Sequence, residues 1–339
     1  MPWLTPRRVV AGAALVALLV AAGFGMAQLD LGAAVTAFTH AEPEMLAAAL
    51  ALYLTSQTLS GVMWGICQGA GGIRIAMGTT LGLHWITRAS CELLPVGLGE
   101  ALRVAIVRRH PEGAKAGTLR IAGGLAGFKA MDAAVTAGAM LVLVLALPLP
   151  GPLAGLRWPA IAVAAGIAAL AVAARLGHAG RITRLLPSRV RGITGRLGEG
   201  ARVLGDGDAA RAAAVAGTLA VVARIGFLAA LLLALDLPPH AAPLAYAAIV
   251  LAGIVPAAPG GAGTREVVLL PALAMAHGIP AAHALAFGMA IQATALVASL
   301  GAGALALAWL GPALVAGRRA PLEVDPDTVV PGAAASEAA

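Results

Sequence analysis

The chain has 339 residues, 60% of them hydrophobic and only 12% charged, with a mean hydropathy of +0.89. A soluble domain carries roughly a quarter charged residues, so a soluble enzyme, a disordered chain and a disulfide-stapled secreted domain are all excluded. The apolar residues run in long blocks without alternation, which excludes a transmembrane barrel and predicts an all-α polytopic membrane protein. A net charge of +7 would suggest nucleic acid in a soluble protein, but here the cations sit mostly between apolar blocks, so no nucleic-acid partner is expected.

Arg7 and Arg8 precede an apolar run from Val9 to Ala27. The run exceeds a usual signal core and is read as a retained first span, with cleavage after Gly25-Met26-Ala27 as the competing reading. Further blocks cover about 45–66, 78–94, 118–147, 158–175, 212–235, 242–258 and 281–310. Two shorter pieces, about 98–107 and 264–277, follow Pro/Gly-rich breaks and are too short to cross alone. The segment 176–211 interleaves arginines with Ile182, Leu185, Leu186 and Val190, so it reads as an interfacial helix or a solvated loop. Residues 318–339 read as a disordered cytoplasmic tail, and 1–317 as the membrane domain with halves of about 1–150 and 151–317.

Charge decides the expected topology. If 78–94 crossed fully, Arg108, Arg109 and the Arg-rich 176–211 segment would lie outside, against the positive-inside rule. A re-entrant hairpin over 78–110, broken at Pro95, restores the rule, and 242–277 becomes a second hairpin broken at Pro259-Gly260-Gly261. About six full spans and two re-entrant broken-helix hairpins follow, with both termini cytoplasmic. Each half then reads span, span, hairpin, span, which makes an inverted repeat of the kind transporters use. The breaks even share a downstream His and Pro: His110-Pro111 in one half, His277 and Pro280 in the other.

Charges at membrane depth are costly, about 2.5–3.5 kcal/mol each near the bilayer centre, and usually mark a pathway. Arg88 and Glu92 stand at i, i+4; Glu100 and Arg103, and Lys129 and Asp132, stand at i, i+3. Such spacings share a helix face, and His84 extends the first pair into a polar stripe. Arg224, Arg265 and Glu266 complete the set, and an inverted repeat makes cross-pairing between the two breaks possible. Gly97 and Gly99 are read as preceding a short helix that starts near Glu100; Gly260, Gly261 and Gly263 precede one that starts near Arg265. Helix N-termini there would favour an anionic group. The candidate substrate-binding set is therefore Arg88, Glu92, Gly97, Gly99, Glu100, Arg103, Lys129, Asp132, Gly260, Gly261, Gly263, Arg265 and Glu266.

No enzyme, cofactor or metal is expected. There is no His-Glu-x-x-His, Gly-x-Ser-x-Gly or Walker loop. Asp206-Gly207-Asp208 reads as a turn rather than a metal pair, and Cys67 and Cys91 as packing residues.

These motifs resemble a known family. Leu94-Pro95 through Gly99-Glu100-Ala101-Leu102-Arg103 resembles the "LP-x-x-x-GE-x-x-R" segment of the lysylphosphatidylglycerol synthase transmembrane region, or flippase-like domain. Pro259 through Glu266 resembles its "PGGLGVRE" signature, with Ala262 and Thr264 in place of Leu and Val. Phe128-Lys129-Ala130-Met131-Asp132 resembles a third segment, with Lys129 in place of an Arg. The resemblance implies a lipid translocase of a bacterial-type inner membrane, moving an anionic or modified lipid between leaflets as the domain does in the multiple peptide resistance factor. No stretch of this chain reads as the soluble aminoacyl-transferase domain, so tRNA-dependent synthesis is not expected. The expected partners are membrane lipids with a phosphate headgroup, and a lipid-biosynthesis enzyme. The alternatives are a membrane-embedded accessory protein or enzyme of lipid, glycolipid or hopanoid biosynthesis, and a small-anion secondary transporter.

Overall fold

The computed structural model describes residues 39–93, 96–146, 202–253 and 264–317, with isolated positions at 36, 158, 161, 165 and 166. The run from Val9, most of 158–175 and 176–211, the breaks at Pro95 and Pro259–Gly263, and the tail lie outside these residues.

The described residues form helices and turns, with no strand among them. In chain order the helices are α1 (Pro43–Ala70), α2 (Met77–Leu93), α3 (Val96–Arg109), α4 (Pro111–Ala114), α5 (Thr118–Ala146), α6 (Gly207–Ala234), α7 (Ala242–Ala252), α8 (Thr264–His277) and α9 (Ala281–Gly317). Four of them are long and apolar enough to cross a membrane: α1, α5, α6 and α9. α2 has 17 residues and α3 has 14, roughly 25 and 21 Å of helix against a hydrocarbon core of about 30 Å. Leu305, 75% exposed on α9, and Val142 and Leu145 on α5 point outward, as side chains facing lipid do.

Local sequence explains the ends. Pro43, Pro111 and Pro243 sit in first turns, where a missing N–H costs nothing. Asp206 caps α6 by accepting from the N–H groups of Asp208 and Ala209, both at 3.1 Å, so the Asp206-Gly207-Asp208 run is a helix start. α8 stops at Gly278, whose φ of +64° supplies the left-handed residue that closes the helix just before Pro280.

The helices pack with small residues at their contacts, as expected where lipid provides no hydrophobic drive between them. α1 and α6 run antiparallel along their length: Glu42 N–H donates to Ala234 O at 2.9 Å at one end, Ser56 Oγ to Ala220 O at 2.9 Å midway, and Met63 meets Gly217 further on. α2 and α9 are also antiparallel, with Gly82 against Leu310 and Gly303 against Ala89 and Trp85.

The two ends of each broken pair meet. α3 packs on α2, and Ala76 N–H, just before α2, donates to Glu112 Oε2 in α4 at 3.0 Å. α8 packs on α7, and the rings of His240, before α7, and His277, at the end of α8, lie 5.1 Å apart. Burial and then the neighbouring His240 hold the His277 imidazole below its ordinary range. One core surrounds Tyr53, Phe227, Tyr246 and Phe287; a second surrounds Trp64, Leu83, Ile121 and Phe128; α1 belongs to both.

Candidate functional site

α2 delivers the predicted polar stripe. Arg88 Nη2 lies 2.5 Å from Glu92 Oε1, and the Glu92 carboxylate is almost fully buried. Arg88 Nη2 also donates to the Tyr53 hydroxyl at 3.4 Å, and that hydroxyl shares a hydrogen bond with Ser299 Oγ at 3.1 Å. The chain Glu92–Arg88–Tyr53–Ser299 therefore links α2, α1 and α9. Arg265, at the start of α8, donates from Nη1 to Gln292 Oε1 on α9 at 3.1 Å, and Glu92, Arg88 and Tyr53 are within its Coulombic reach. Glu266 lies along α9, where a Cβ on Gly288 would stand 3.3 Å from its Cγ.

A second cluster forms where α3 meets α1 and α5. Arg103 is 4% exposed. Its guanidinium carbon sits 5.1 Å from the Trp64 ring centre and 5.6 Å from that of Phe128, a slot between two aromatic faces. Such contacts contribute roughly 2 kcal/mol when desolvated. Arg103 Nε is 3.6 Å from Glu100 Oε2, inside ion-pair range but beyond hydrogen-bond range, and Nε and Nη1 have no hydrogen-bond partner. Lys129 does not use Asp132 one turn along its own helix; Nζ crosses to Glu100 Oε1 at 2.5 Å, joining α5 to α3. His84, 2% exposed, packs against Trp64 with ring centres 6.1 Å apart, and neither of its nitrogens makes a well-formed hydrogen bond. Trp64 Nε1 and the Gln68 amide are likewise buried and unpartnered. Buried donors without acceptors, beside two cations, are what an entering oxyanion would satisfy.

The glycines divide. α3 begins at Val96, so Gly97 and Gly99 lie within its first turn and the helix does not wait until Glu100. Gly99 serves close approach: a Cβ there would fall 2.4 Å from Cys91 Sγ and 3.2 Å from Cys91 Cα. α8 begins at Thr264 as expected, while Gly260, Gly261 and Gly263 lie outside the described residues. Asp132 is half-buried on α5, within electrostatic reach of Cys67 and Tyr246. Arg224 and Thr136 stand beside Tyr246, whose hydroxyl lacks a well-formed hydrogen bond. Sequence reading missed Tyr53, Trp64, Gln292 and Ser299. The available signal was scarcity: the chain has only 2 tyrosines and 5 tryptophans, and a polar-tipped aromatic inside an apolar block needs a hydrogen-bond partner once buried.

With this geometry in place, the family model for the lysylphosphatidylglycerol synthase TM region matches residues 9–315. The chain belongs to that family. The match spans every described helix up to the last turn of α9 and includes both clusters. By sequence, no curated protein matches the chain. Membership, together with the four spanning helices, makes this an integral membrane protein of a lipid-related family.

Proposed function

We propose that this protein translocates an anionic or modified lipid between membrane leaflets, without catalysing a chemical step. The observation that carries this reading is Arg103: a cation buried among helices, held between Trp64 and Phe128, with two donor nitrogens unspent. A membrane protein keeps such a group at a cost of several kcal/mol, and a passing phosphate offsets that cost. Arg88, Glu92, Glu100, Lys129, Asp132, Arg265 and Glu266 line the same route. Movement comes from one repeat rocking against the other, driven by the lipid gradient or by an ion gradient.

The architecture in this proposal has about six spans and two re-entrant hairpins related by an inverted repeat, in a bacterial-type inner membrane with both termini inside. The antiparallel pairing of α1 with α6, the corresponding helices of the two halves, supports the inversion. The meeting ends of each broken pair support the hairpins. The partners are phosphate-bearing membrane lipids and the enzyme that supplies them.

Function is tested in proteoliposomes loaded with fluorescent phosphatidylglycerol, scoring how fast the label becomes accessible to an external quencher. Accelerated exchange over protein-free vesicles supports translocation; protein-free rates across anionic and zwitterionic lipids refute it. Topology is tested separately. Single cysteines at Arg109, Arg191 and Arg319, on a background lacking Cys67 and Cys91, are expected to label only from the cytoplasmic side. External labelling at 109 would break the first hairpin.

A further inference from the structure

Arg103 and Lys129 converge on one carboxylate, and the fit is poor. Glu100 Oε1 takes Lys129 at 2.5 Å, while Oε2 stands 3.6 Å from Arg103 Nε, is buried, and has no hydrogen-bond partner. A carboxylate matched to arginine would meet it with two parallel hydrogen bonds. Here each edge of the Arg103 fork keeps an unspent nitrogen, Nε on one and Nη1 on the other. The burial is also graded. Arg103 is enclosed, whereas the Glu100 side chain is 25% exposed and that of Lys129 51% exposed. The carboxylate thus stands at the entrance, between the surroundings and the buried cation. Two cations share this one carboxylate, with Arg88 and Asp132 acting on Arg103 besides, and Trp64 Nε1 and the Arg103 nitrogens Nε and Nη1 are buried without partners.

We propose that Glu100 is a tethered stand-in anion: it occupies the Arg103–Lys129 site when no substrate is present and is displaced by the phosphate oxygens of an anionic lipid headgroup. The proposal rests on the translocation reading above and assigns Glu100 a role opposite to that of a binding residue. Translocation needs a site that can empty as well as fill. A built-in competitor keeps the two cations from being stranded without charge compensation after release, and it limits how tightly the headgroup is held. The tether is local, since Glu100 and Arg103 lie one turn apart on α3 and Lys129 reaches over from α5.

The consequence is a change of sign. A residue that binds or merely supports the site weakens binding when neutralised; a competitor strengthens it. If Glu100 fills the site about 90% of the time, apparent affinity is reduced roughly tenfold, and Glu100→Gln returns that factor. The experiment is calorimetric titration of detergent-purified wild type and Glu100→Gln with dihexanoyl phosphatidylglycerol, inorganic phosphate and neutral dihexanoylglycerol. The expected result is about tenfold tighter binding of phosphatidylglycerol by Glu100→Gln, with no gain for the neutral lipid. A matching gain with inorganic phosphate assigns recognition to the phosphate alone; a gain confined to phosphatidylglycerol assigns it to the lipid headgroup. Equal or weaker binding by Glu100→Gln, with wild type binding normally, overturns the stand-in role and leaves translocation standing; it is the result expected if Glu100 instead holds a cationic headgroup. Failure of both proteins to bind either anionic probe overturns the anion site, and the proposed function with it. Should Glu100→Gln not purify as a monodisperse species, Glu100→Asp is titrated against the same criterion, because its shorter arm withdraws the carboxylate from Lys129.

Discussion

Arg103→Met is expected to lose transport by one to two orders of magnitude while keeping, or raising, thermal stability. The reasoning sets two effects against each other. Burying a guanidinium costs several kcal/mol, and its recovery here is incomplete: Glu100 is 3.6 Å away, and Nε and Nη1 have no partner. The aromatic slot returns roughly 2 kcal/mol, and a methionine of similar length recovers part of that through sulfur–aromatic contact. Replacing poorly paired buried ions with apolar groups is neutral to stabilising by about 1–4 kcal/mol in known cases. Function moves the other way. A charge-assisted hydrogen bond to a phosphate contributes about 1.5–3 kcal/mol, and each 1.4 kcal/mol is a factor of ten. The measurement pairs the liposome exchange rate with a melting curve in detergent. A Tm that falls while exchange stays at the wild-type rate would make Arg103 a structural residue and remove it from the route.

Gly303→Leu is expected to separate α2 from α9 and inactivate the protein. A Cβ at Gly303 would stand 2.6 Å from Ala89 Cβ and 3.1 Å from the Trp85 carbonyl oxygen. Neither atom can turn away, because both are fixed to the α2 backbone, so the helices must part. Overpacking of this kind costs about 1–3 kcal/mol and more when the obstacle is rigid, which corresponds to a Tm loss on the order of 5 °C or beyond. The damage reaches the site because Ser299, one turn earlier on α9, holds the Tyr53 hydroxyl that Arg88 also uses. Gly303→Ala alone should show a smaller loss of the same kind, and adding Ala89→Gly to it should restore much of that loss, since it removes the atom at 2.6 Å. No rescue by that pairing would mean that Gly303 acts by something other than contact with α2.

The helices and their limits were legible because their causes are local. The piece expected over 264–277 is α8 to the residue, and the block at 118–147 is α5 less one position. Unbroken apolar length makes a helix in lipid, and clustered proline and glycine interrupt it, although Pro271 and Pro312 each lie inside a helix. The charge pair Arg88–Glu92 was legible for the same reason, being one turn apart on one helix. α3 already includes the four residues ahead of Glu100, Gly97 and Gly99 among them, that were expected to precede the helix.

What α3 faces could not be read from spacing. Lys129 and Asp132 satisfy the one-turn rule, yet Lys129 reaches Glu100 on another helix, and Arg265 donates to Gln292 on α9. Tyr53 and Ser299 are 246 positions apart in sequence and 3.1 Å apart in space. By itself, the sequence determined an all-helical membrane protein of this family and the positions of its intramembrane charges, because hydropathy, chain breaks and motif are properties of contiguous residues. Only the tertiary structure decided that Lys129 pairs across helices with Glu100 and that an aromatic slot surrounds Arg103, because packing brings remote helices together and, in a low-dielectric interior, a charge can take the partner that packing sets beside it rather than the one next along its own helix.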